Sequence, residues 1–178
     1  MQSFLIVVDM QNDFVTGALG SPLAKDIVPA VVNRVKEAFS IGETIIFTRD
    51  THEDNYLNTR EGKFLPVSHC IKGTNGWQII DELKQFYLKS LIIDKPTFGS
   101  EKLVETLKKA NEIDKIERVT IIGLCTDICV ISNAMMIKNA LPEVDVVIDK
   151  TATAGVTKES KEHALLAMKS CQIIIENE

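Results

Sequence analysis

The chain lacks the features that assign a sequence to a membrane, a nucleic-acid partner or an export route. No apolar run approaches the roughly 20 residues that a bilayer-spanning helix needs, and no stretch is basic enough to indicate a nucleic-acid or membrane surface. The N-terminus has no basic region ahead of its apolar run, as a secretory signal peptide would have. The four cysteines show no paired Cys-x-x-Cys spacing and indicate neither a zinc framework nor disulfides. We therefore expect a cytoplasmic protein with free thiols and no nucleic-acid or membrane partner.

The composition is that of an ordinary globular enzyme or binding domain. The 178 residues are 45% hydrophobic and 25% charged, with a formal net charge of −5. This length suits one domain, residues 1–178, with a substantial core. No internal repeat, low-complexity tract or linker divides it.

Strand and helix patterns alternate along the chain. Apolar runs predict six strands, at about 3–9, 43–49, 89–94, 118–123, 144–149 and 171–176. Helical patterns lie near 27–40, 76–86, 100–112, 126–140 and 157–169. This alternation predicts a three-layer α/β/α fold with a mainly parallel six-stranded sheet. Residues 50–75 are expected to form one long irregular loop, which in a compact domain is usually functional, and Cys171 is expected to begin the last strand in a buried position.

Cys129 stands out because of its local setting. The apolar run that starts at Ile121 is broken by Gly123, and a helix is expected to begin at Thr126 or Asp127, both good N-cap types. Cys129 would then lie in the first helical turn, where free N–H groups and the helix dipole favour a nucleophilic thiolate. The alternative is that Cys129 is a small buried hydrophobe, as free cysteines usually are.

Two further strands end in charged residues. Asp9 follows an unbroken apolar run, and Lys95 follows another and is held extended by Pro96. Open α/β sheets bind ligands at this end of their strands. Asp9 could instead satisfy loop amides, and Lys95 could be a surface charge. Together with Cys129 they form a complete set for acyl transfer: a thiol nucleophile, a carboxylate proton shuttle whose pKa Lys95 should depress, and a fixed cation.

Five segments, in this order, resemble the isochorismatase-like cysteine hydrolases, the family that contains the nicotinamidases. They are residues 9–14 (DMQNDF), 48–52 (TRDTH), 66–76 (PVSHCIKGTNG), 95–98 (KPTF) and 123–130 (GLCTDICV). The resemblance implies a catalytic triad of Asp9, Lys95 and Cys129. It also implies a cis peptide bond between Leu124 and Cys125, with backbone N–H groups near Cys125 and Cys129 forming an oxyanion hole.

The predicted loop also suggests a metal site. Asp50 and His52 are two residues apart at an extended strand end, so their side chains can share a face, and oxygen and imidazole ligands suit zinc, manganese or iron(II). The resemblance to nicotinamidases implies that Asp50, His52, Glu61 and His69 hold a divalent metal, with zinc the first choice. Alternatively, Asp50 caps a turn and both histidines only form hydrogen bonds in the loop.

The resemblance implies an amidohydrolase that acts on a small carboxamide, with nicotinamide the best single substrate, and that forms a homo-oligomer. Phe14, Trp77 and Phe98 are aromatic candidates for stacking on a planar substrate, and Leu124 and Cys125 are expected beside it. One alternative is a metal-free hydrolase of N-carbamoyl or ureido compounds from the same family. Another is a non-catalytic interaction protein on this fold, although the fold alone would not require an Asp–Lys–Cys set.

Overall fold

Six strands form one sheet in a computed structural model that describes residues 2–177. In chain order they are β1 (Gln2–Val8), β2 (Thr44–Asp50), β3 (Leu91–Lys95), β4 (Ile116–Leu124), β5 (Asp145–Ala154) and β6 (Ile174–Glu176). Their spatial order is β3-β2-β1-β4-β5-β6, and each neighbouring pair is parallel. The predicted α/β fold is confirmed, and the sheet is parallel throughout.

The connections between the strands are mostly helical. Within residues 2–177 the α-helices are α1 (Asn12–Val15), α2 (Pro22–Asp26), α3 (Val28–Ile41), α4 (Arg60–Phe64), α5 (Lys84–Tyr87), α6 (Glu101–Ile113), α7 (Ile131–Ala140) and α8 (Lys158–Ser170). Short 3₁₀ turns occupy Tyr56–Asn58 and Asp81–Leu83, and a π-helical turn occupies Thr126–Val130. None of these helices is long and apolar enough to cross a bilayer.

Both faces of the sheet are covered, and each face has its own apolar core. One core packs α6, α7 and α8 against the sheet through side chains such as Leu107, Ile137 and Leu165. The other packs α2, α3 and α5 through side chains such as Val35 and Phe86. The result is the predicted single-domain three-layer architecture. It explains the apolar runs in the sequence, because strands buried on both faces need apolar residues at nearly every position.

The strand order reverses between β1 and β4, which are neighbours in the sheet. At this point Val8 pairs with Gly123, whose φ is +107° and whose position leaves no room for a Cβ beside the Val8 backbone. Asp9 follows directly, with a φ of +48° that turns the chain away from the ladder. In open α/β sheets ligands bind in the crevice at such a reversal, beyond the carboxyl ends of the strands.

The helix predicted at 76–86 is wrong over its first half. Only the 3₁₀ turn at Asp81–Leu83 and α5 are helical. The preceding residues pair with the segment after β1 instead: Gln11 and Ile79 form an antiparallel bridge, and Ile80 N–H donates to the carbonyl of Met10. Tertiary backbone pairing therefore replaces the local helical preference.

Two other expectations are corrected. Residues 50–75 do not form one irregular loop, because they contain the 3₁₀ turn at Tyr56–Asn58 and helix α4. Cys171 does not begin the last strand and is not buried. It is the exposed residue that ends α8, and β6 begins only at Ile174.

The helix after β4 does not begin with a side-chain cap. Its N-cap is Cys125, rather than Thr126 or Asp127. The Thr126 hydroxyl pairs instead with the Thr153 hydroxyl at 2.7 Å, and the Asp127 carboxylate accepts the N–H of Val156 at 3.1 Å. Both side chains that could have capped the helix therefore connect it to β5 and the loop that follows.

Candidate functional site

Side chains from three strand ends meet at the carboxyl edge of the sheet. The Nζ atom of Lys95 lies 2.7 Å from Oδ2 of Asp9 and 3.3 Å from Sγ of Cys129. All three residues are at most 5% exposed. The hydroxyl of Thr48 donates to Oδ1 of Asp9 at 2.6 Å, and the Nζ of Lys95 also donates to the carbonyl of Thr97 at 3.1 Å. The structure thus brings together the carboxylate, ammonium and thiol that the sequence placed at separate strand ends.

Burial dominates the electrostatics of these three groups. Burial raises the pKa of Asp9, although Lys95 acts in the opposite direction. Burial, together with the charge of Asp9, raises the pKa of the Cys129 thiol well above its usual value. Burial disfavours the charged form of Lys95, but Asp9 and Cys129 hold its pKa above the usual range. In the resting site Lys95 is therefore charged and Cys129 keeps its proton.

Two predictions about these pKa values are therefore wrong. The position of Cys129 after β4 was expected to lower the pKa of its thiol, and Lys95 was expected to lower the pKa of Asp9. In both cases desolvation outweighs the favourable interaction. The burial that raises the pKa of Asp9 makes its carboxylate a stronger base toward the neighbouring thiol.

The backbone around Cys129 is fixed by a buried amide that the sequence analysis did not single out. The Nδ2 group of Asn133 donates to the carbonyls of Cys129, at 2.8 Å, and Phe98, at 3.2 Å. Its Oδ1 atom accepts the N–H of Ser100 at 3.0 Å. Asn133 lies four residues after Cys129, and only the tertiary fold shows that it connects the thiol's turn to the loop after β3.

The Leu124–Cys125 peptide bond is cis, as predicted from the resemblance.

A second polar cluster lies beside the first. Single ligand atoms of Asp50, His52 and His69 lie within 4.8 Å of one another, and the three residues are buried. The Oδ2 atom of Asp50 is 2.9 Å from Nε2 of His52 and 3.5 Å from Nε2 of His69. Burial opposes ionisation of the Asp50 carboxyl. Its pKa is nevertheless held below the usual range by His52, His69 and Lys95. The carboxylate therefore stays charged and faces two imidazoles.

The donor atoms of this cluster fit a divalent metal. Nε2 of His52 is buried and points into the cluster, where the Asp50 carboxylate lies 2.9 Å away. Nδ1 of His69 lies 2.8 Å from the carbonyl of Val67, which requires the proton on Nδ1 and leaves the Nε2 lone pair directed at the cluster. A carbonyl that orients a histidine in this way is typical of metal ligands. Two imidazole nitrogens and a carboxylate oxygen are ligands that zinc, manganese and iron(II) accept.

Glu61 lies at the edge of this cluster. Its Oε1 atom is 3.6 Å from Nε2 of His52, and its side chain is one-quarter exposed. It belongs to α4, whose N-cap Thr59 accepts the Gly62 N–H. Burial raises the pKa of Glu61, which the His52 imidazole opposes. The fourth predicted ligand is therefore adjacent to the compact group of three.

A small cavity of about 200 Å³ opens between the two clusters. That volume is below the range of roughly 300–1,000 Å³ that is usual for drug-sized ligands. The surface of the cavity is mostly apolar. Its lining residues are Phe14, Leu19, Ser21, Ala24, Asp50, Glu61, Leu65, His69, Phe98, Leu124, Cys125, Ile128, Cys129, Gly155 and Val156.

Four of the five residues predicted to contact substrate line this cavity, and Trp77 does not. The indole of Trp77 donates to the hydroxyl of Thr51 at 2.9 Å, and the guanidinium of Arg49 covers its ring at 3.6 Å. The ring and the N–H of Trp77 are therefore occupied by protein groups, which argues against the predicted contact with substrate. The ring of Phe14 lies 5.5 Å from that of His69, and the partly exposed Phe98 lines the cavity from the loop after β3.

The sequence analysis missed much of the apolar wall of the cavity. Leu19, Leu65 and Val156 come from three loops whose positions depend on the fold, and no local pattern distinguishes them from surface residues. Tyr56 was missed as well: it is fully buried, with its ring 4.6 Å from that of His52 and 4.9 Å from that of His69. A tyrosine between two candidate ligands in the sequence was a signal that could have been used.

Known proteins are similar to this chain in sequence and in fold. The isochorismatase domain family matches residues 3–178. An isochorismatase family protein of Bacillus subtilis (strain 168), PncA, is 29% identical over 175 residues that cover 93% of each chain. The crystal structure of nicotinamidase/pyrazinamidase PncA from Bacillus subtilis superposes with a TM-score of 0.86 at 27% identity, over 98% of this chain and 99% of that chain.

A second solved structure is relevant to the Asp50–His52–His69 cluster. It is the pyrazinamidase of Pyrococcus horikoshii in complex with zinc. The two chains are 30% identical and superpose with a TM-score of 0.79, and the match covers 98% of each chain. The family match extends over nearly the whole length, and both structures share the fold over almost every residue. This chain belongs to the isochorismatase family.

Proposed function

We propose that this chain is a cysteine amidohydrolase that converts nicotinamide to nicotinate and ammonia through a thioester on Cys129. The observation that carries the proposal is the position of Lys95, which contacts both Asp9 and Cys129, and Cys129 in turn lines a small apolar cavity. The similarity to nicotinamidase and pyrazinamidase structures supports an amide substrate. The proposed catalytic residues are Asp9, Lys95 and Cys129.

The first half of the reaction forms the thioester. Asp9 accepts the proton of the Cys129 thiol, and the resulting thiolate, paired with the Lys95 ammonium, attacks the carboxamide carbon. Backbone N–H groups of Cys125 and Cys129 donate to the oxyanion of the tetrahedral intermediate. Asp9 then returns its proton to the amide nitrogen, so that the C–N bond breaks and ammonia leaves.

The second half restores the enzyme. Asp9 accepts a proton from a water molecule, and the oxygen of that water attacks the thioester carbon. The C–S bond then breaks, and the proton on Asp9 passes to the sulfur of Cys129. Nicotinic acid is released and ionises in water to nicotinate. Lys95 stays charged throughout, and its role is to stabilise the thiolate each time it forms.

We propose that Asp50, His52 and His69 hold a divalent metal, with Glu61 beside them. The compact grouping of Asp50, His52 and His69, the fixed orientation of His69 and the zinc complex of the similar pyrazinamidase support this assignment. When bound, the metal would supply a positive centre for the substrate's ring nitrogen. Asp50, His69 and Cys129 all line the cavity, so a small molecule bound there would face both the proposed metal ligands and the nucleophile.

The charge of the cavity favours a carboxamide over the N-carbamoyl alternative. Among the described residues that line the cavity there is no arginine or lysine, whereas Asp50 and Glu61 contribute negative charge. A carbamoyl amino acid carries a carboxylate, and no described side chain that lines the cavity would form an ion pair with it. The N-carbamoylsarcosine amidase that shares the fold is 23% identical and says nothing about the substrate of this chain.

The proposal is tested by measuring ammonia release from a small set of substrates. Nicotinamide and pyrazinamide should be hydrolysed. Benzamide, which has the same shape without a ring nitrogen, should have a KM at least about tenfold higher because it loses one ligand contact. An N-carbamoyl amino acid should not be turned over. Preference for the carbamoyl compound, or equal KM values for nicotinamide and benzamide, would contradict the proposal.

We also expect a cytoplasmic homo-oligomer of a single-domain chain.

A further inference from the structure

Gln11 is fully buried at the edge of the site but does not line the cavity. It follows the turn at Asp9 by two residues and precedes α1. A primary amide can donate two hydrogen bonds and accept two, and burying it without partners is costly. The partners of the Gln11 side chain therefore indicate what it does.

The side chain of Gln11 holds both backbone groups of Asp50. Its Oε1 atom accepts the Asp50 N–H at 2.7 Å, and its Nε2 group donates to the Asp50 carbonyl at 2.9 Å. This pair of bonds imitates one rung of a β-ladder. The imitation occurs where the β1–β2 ladder has run out, because its last partners are Val7 and Phe47.

On its other side, Asp50 pairs with Lys95 in the β2–β3 ladder. The backbone of Asp50 is thus held between β3 and the Gln11 amide. Its carboxylate then reaches two groups: Oδ1 lies 3.5 Å from Lys95 Nζ, and Oδ2 lies 2.9 Å from His52 Nε2. A small rotation of this backbone would move the carboxylate away from both.

A third bond extends the support to the next segment. The Nε2 group of Gln11 also donates to the carbonyl of Trp77 at 2.9 Å. Trp77 immediately follows residues 66–76, the segment that carries His69. One amide therefore connects the strand end that bears Asp50 to the segment that bears His69.

We propose that Gln11 is a positioning residue that holds the Asp50 carboxylate and, through Trp77, the His69 segment in the geometry required for metal binding. The inference rests on the proposed function of this site as a metal-assisted amidohydrolase. Gln11 acts through the backbone of Asp50 and Trp77, so it would touch neither metal nor substrate. The amide is needed because it alone combines an acceptor for Asp50 N–H with donors for two carbonyls.

Two variants separate this role from simple packing. Gln11→Met keeps the length and removes all three hydrogen bonds, whereas Gln11→Glu keeps the shape and the acceptor but loses both donors. The matched control is Asn12→Ala, since the neighbouring amide donates to the Asn75 carbonyl at 2.8 Å without contacting Asp50. Zinc affinity is measured by competition with a chromogenic chelator, and the fold is checked by thermal unfolding.

Both Gln11 variants should bind zinc about 10- to 100-fold more weakly, the scale that loss of an outer-shell partner produces. Asn12→Ala should match the unaltered chain. With saturating zinc the KM for nicotinamide in Gln11→Glu should recover toward the unaltered value, which a general loss of structure would not allow. Unchanged zinc affinity in a folded variant overturns the inference, as does an unaltered chain that binds no zinc. Hydrolysis of nicotinamide by the unaltered chain, assayed separately, shows whether the proposed function fails too. If Gln11→Met does not fold, Gln11→Glu decides the question.

Discussion

Lys95 and Asp50 form an ion pair in which Nζ lies 3.5 Å from Oδ1, and the same two residues are partners in the β2–β3 ladder. The pairing places both side chains at the same level of the sheet edge. Because Lys95 also contacts Asp9 and Cys129, and Asp50 also contacts His52, the thiol centre and the histidine cluster meet at this one pair. The register of β2 and β3 therefore sets the distance between Asp50, a proposed metal ligand, and Lys95, which contacts the proposed nucleophile.

Replacement of the proposed nucleophile gives the most direct test of the chemistry. Cys129→Ala should lower turnover of nicotinamide by about 10⁴-fold or more, on the scale seen when a covalent nucleophile is removed. The loss of one buried sulfur should cost only about 1–2 kcal/mol of unfolding free energy. Ammonia release and urea denaturation measure the two effects, and substantial activity in this variant would falsify the assignment.

Thiol labelling supplies the matching control. Cys171 is exposed, so iodoacetamide should label it first, whereas Cys129 is buried with a raised pKa. Labelling should therefore be followed in a Cys171→Ser background, which should keep full activity. In that background we expect inactivation to track modification of Cys129, located by mass spectrometry.

The Asp9–Lys95 pair should affect stability as well as rate. Asp9→Asn should lower turnover by about 10²- to 10⁴-fold, because the proton acceptor is lost. It should also lower the free energy of unfolding by about 3 kcal/mol, since it leaves the buried Lys95 with only the more distant Asp50 carboxylate as a counter-charge. Steady-state kinetics and denaturant unfolding test the two claims. Near-normal turnover would show that another group removes the thiol proton.

Much of the fold could be predicted because apolar runs and helix periods are local signals. The same runs located Asp9 and Lys95, since a charged residue at the end of a buried parallel strand lies at the ligand-binding edge. The histidines were found by ligand type and by resemblance. In each case the relevant information lies within about ten residues of the site residue.

The features that could not be predicted depend on distant parts of the chain. The pKa values of Asp9 and Cys129 depend on how completely the fold removes water from them, which no local pattern reports. Trp77 is an aromatic residue near a binding motif, but Arg49 and Thr51 occupy its ring and its N–H. The role of Gln11 appears only when β1 and β2 are adjacent, because its partner is 39 residues away.

Loss of one imidazole should remove the metal without removing the thiol chemistry. His52→Ala deletes a nitrogen that lies 2.9 Å from Asp50 and leaves the contacts among Asp9, Lys95 and Cys129 in place. Zinc affinity should fall by at least about 100-fold, and the KM for nicotinamide should rise, while Cys129 is alkylated at nearly the unaltered rate in the Cys171→Ser background. His163→Ala, at an exposed position of α8, is the control for loss of a histidine. Retained zinc binding in His52→Ala would place the metal elsewhere.

The two aromatic residues near the site should respond differently to substitution. The ring of Phe14 lines the cavity and lies 5.5 Å from that of His69, so Phe14→Ala should remove about 1–2 kcal/mol of substrate binding and raise the KM for nicotinamide by about tenfold. Trp77 faces Arg49 and Thr51 instead, so Trp77→Phe should leave that KM within about twofold and lower the unfolding free energy by about 1 kcal/mol through the lost hydrogen bond to Thr51. Steady-state kinetics and denaturant unfolding of both variants provide the comparison. A large KM increase in Trp77→Phe with none in Phe14→Ala would mean that substrate occupies a different face of this edge, and the cavity described above would then not be the substrate site.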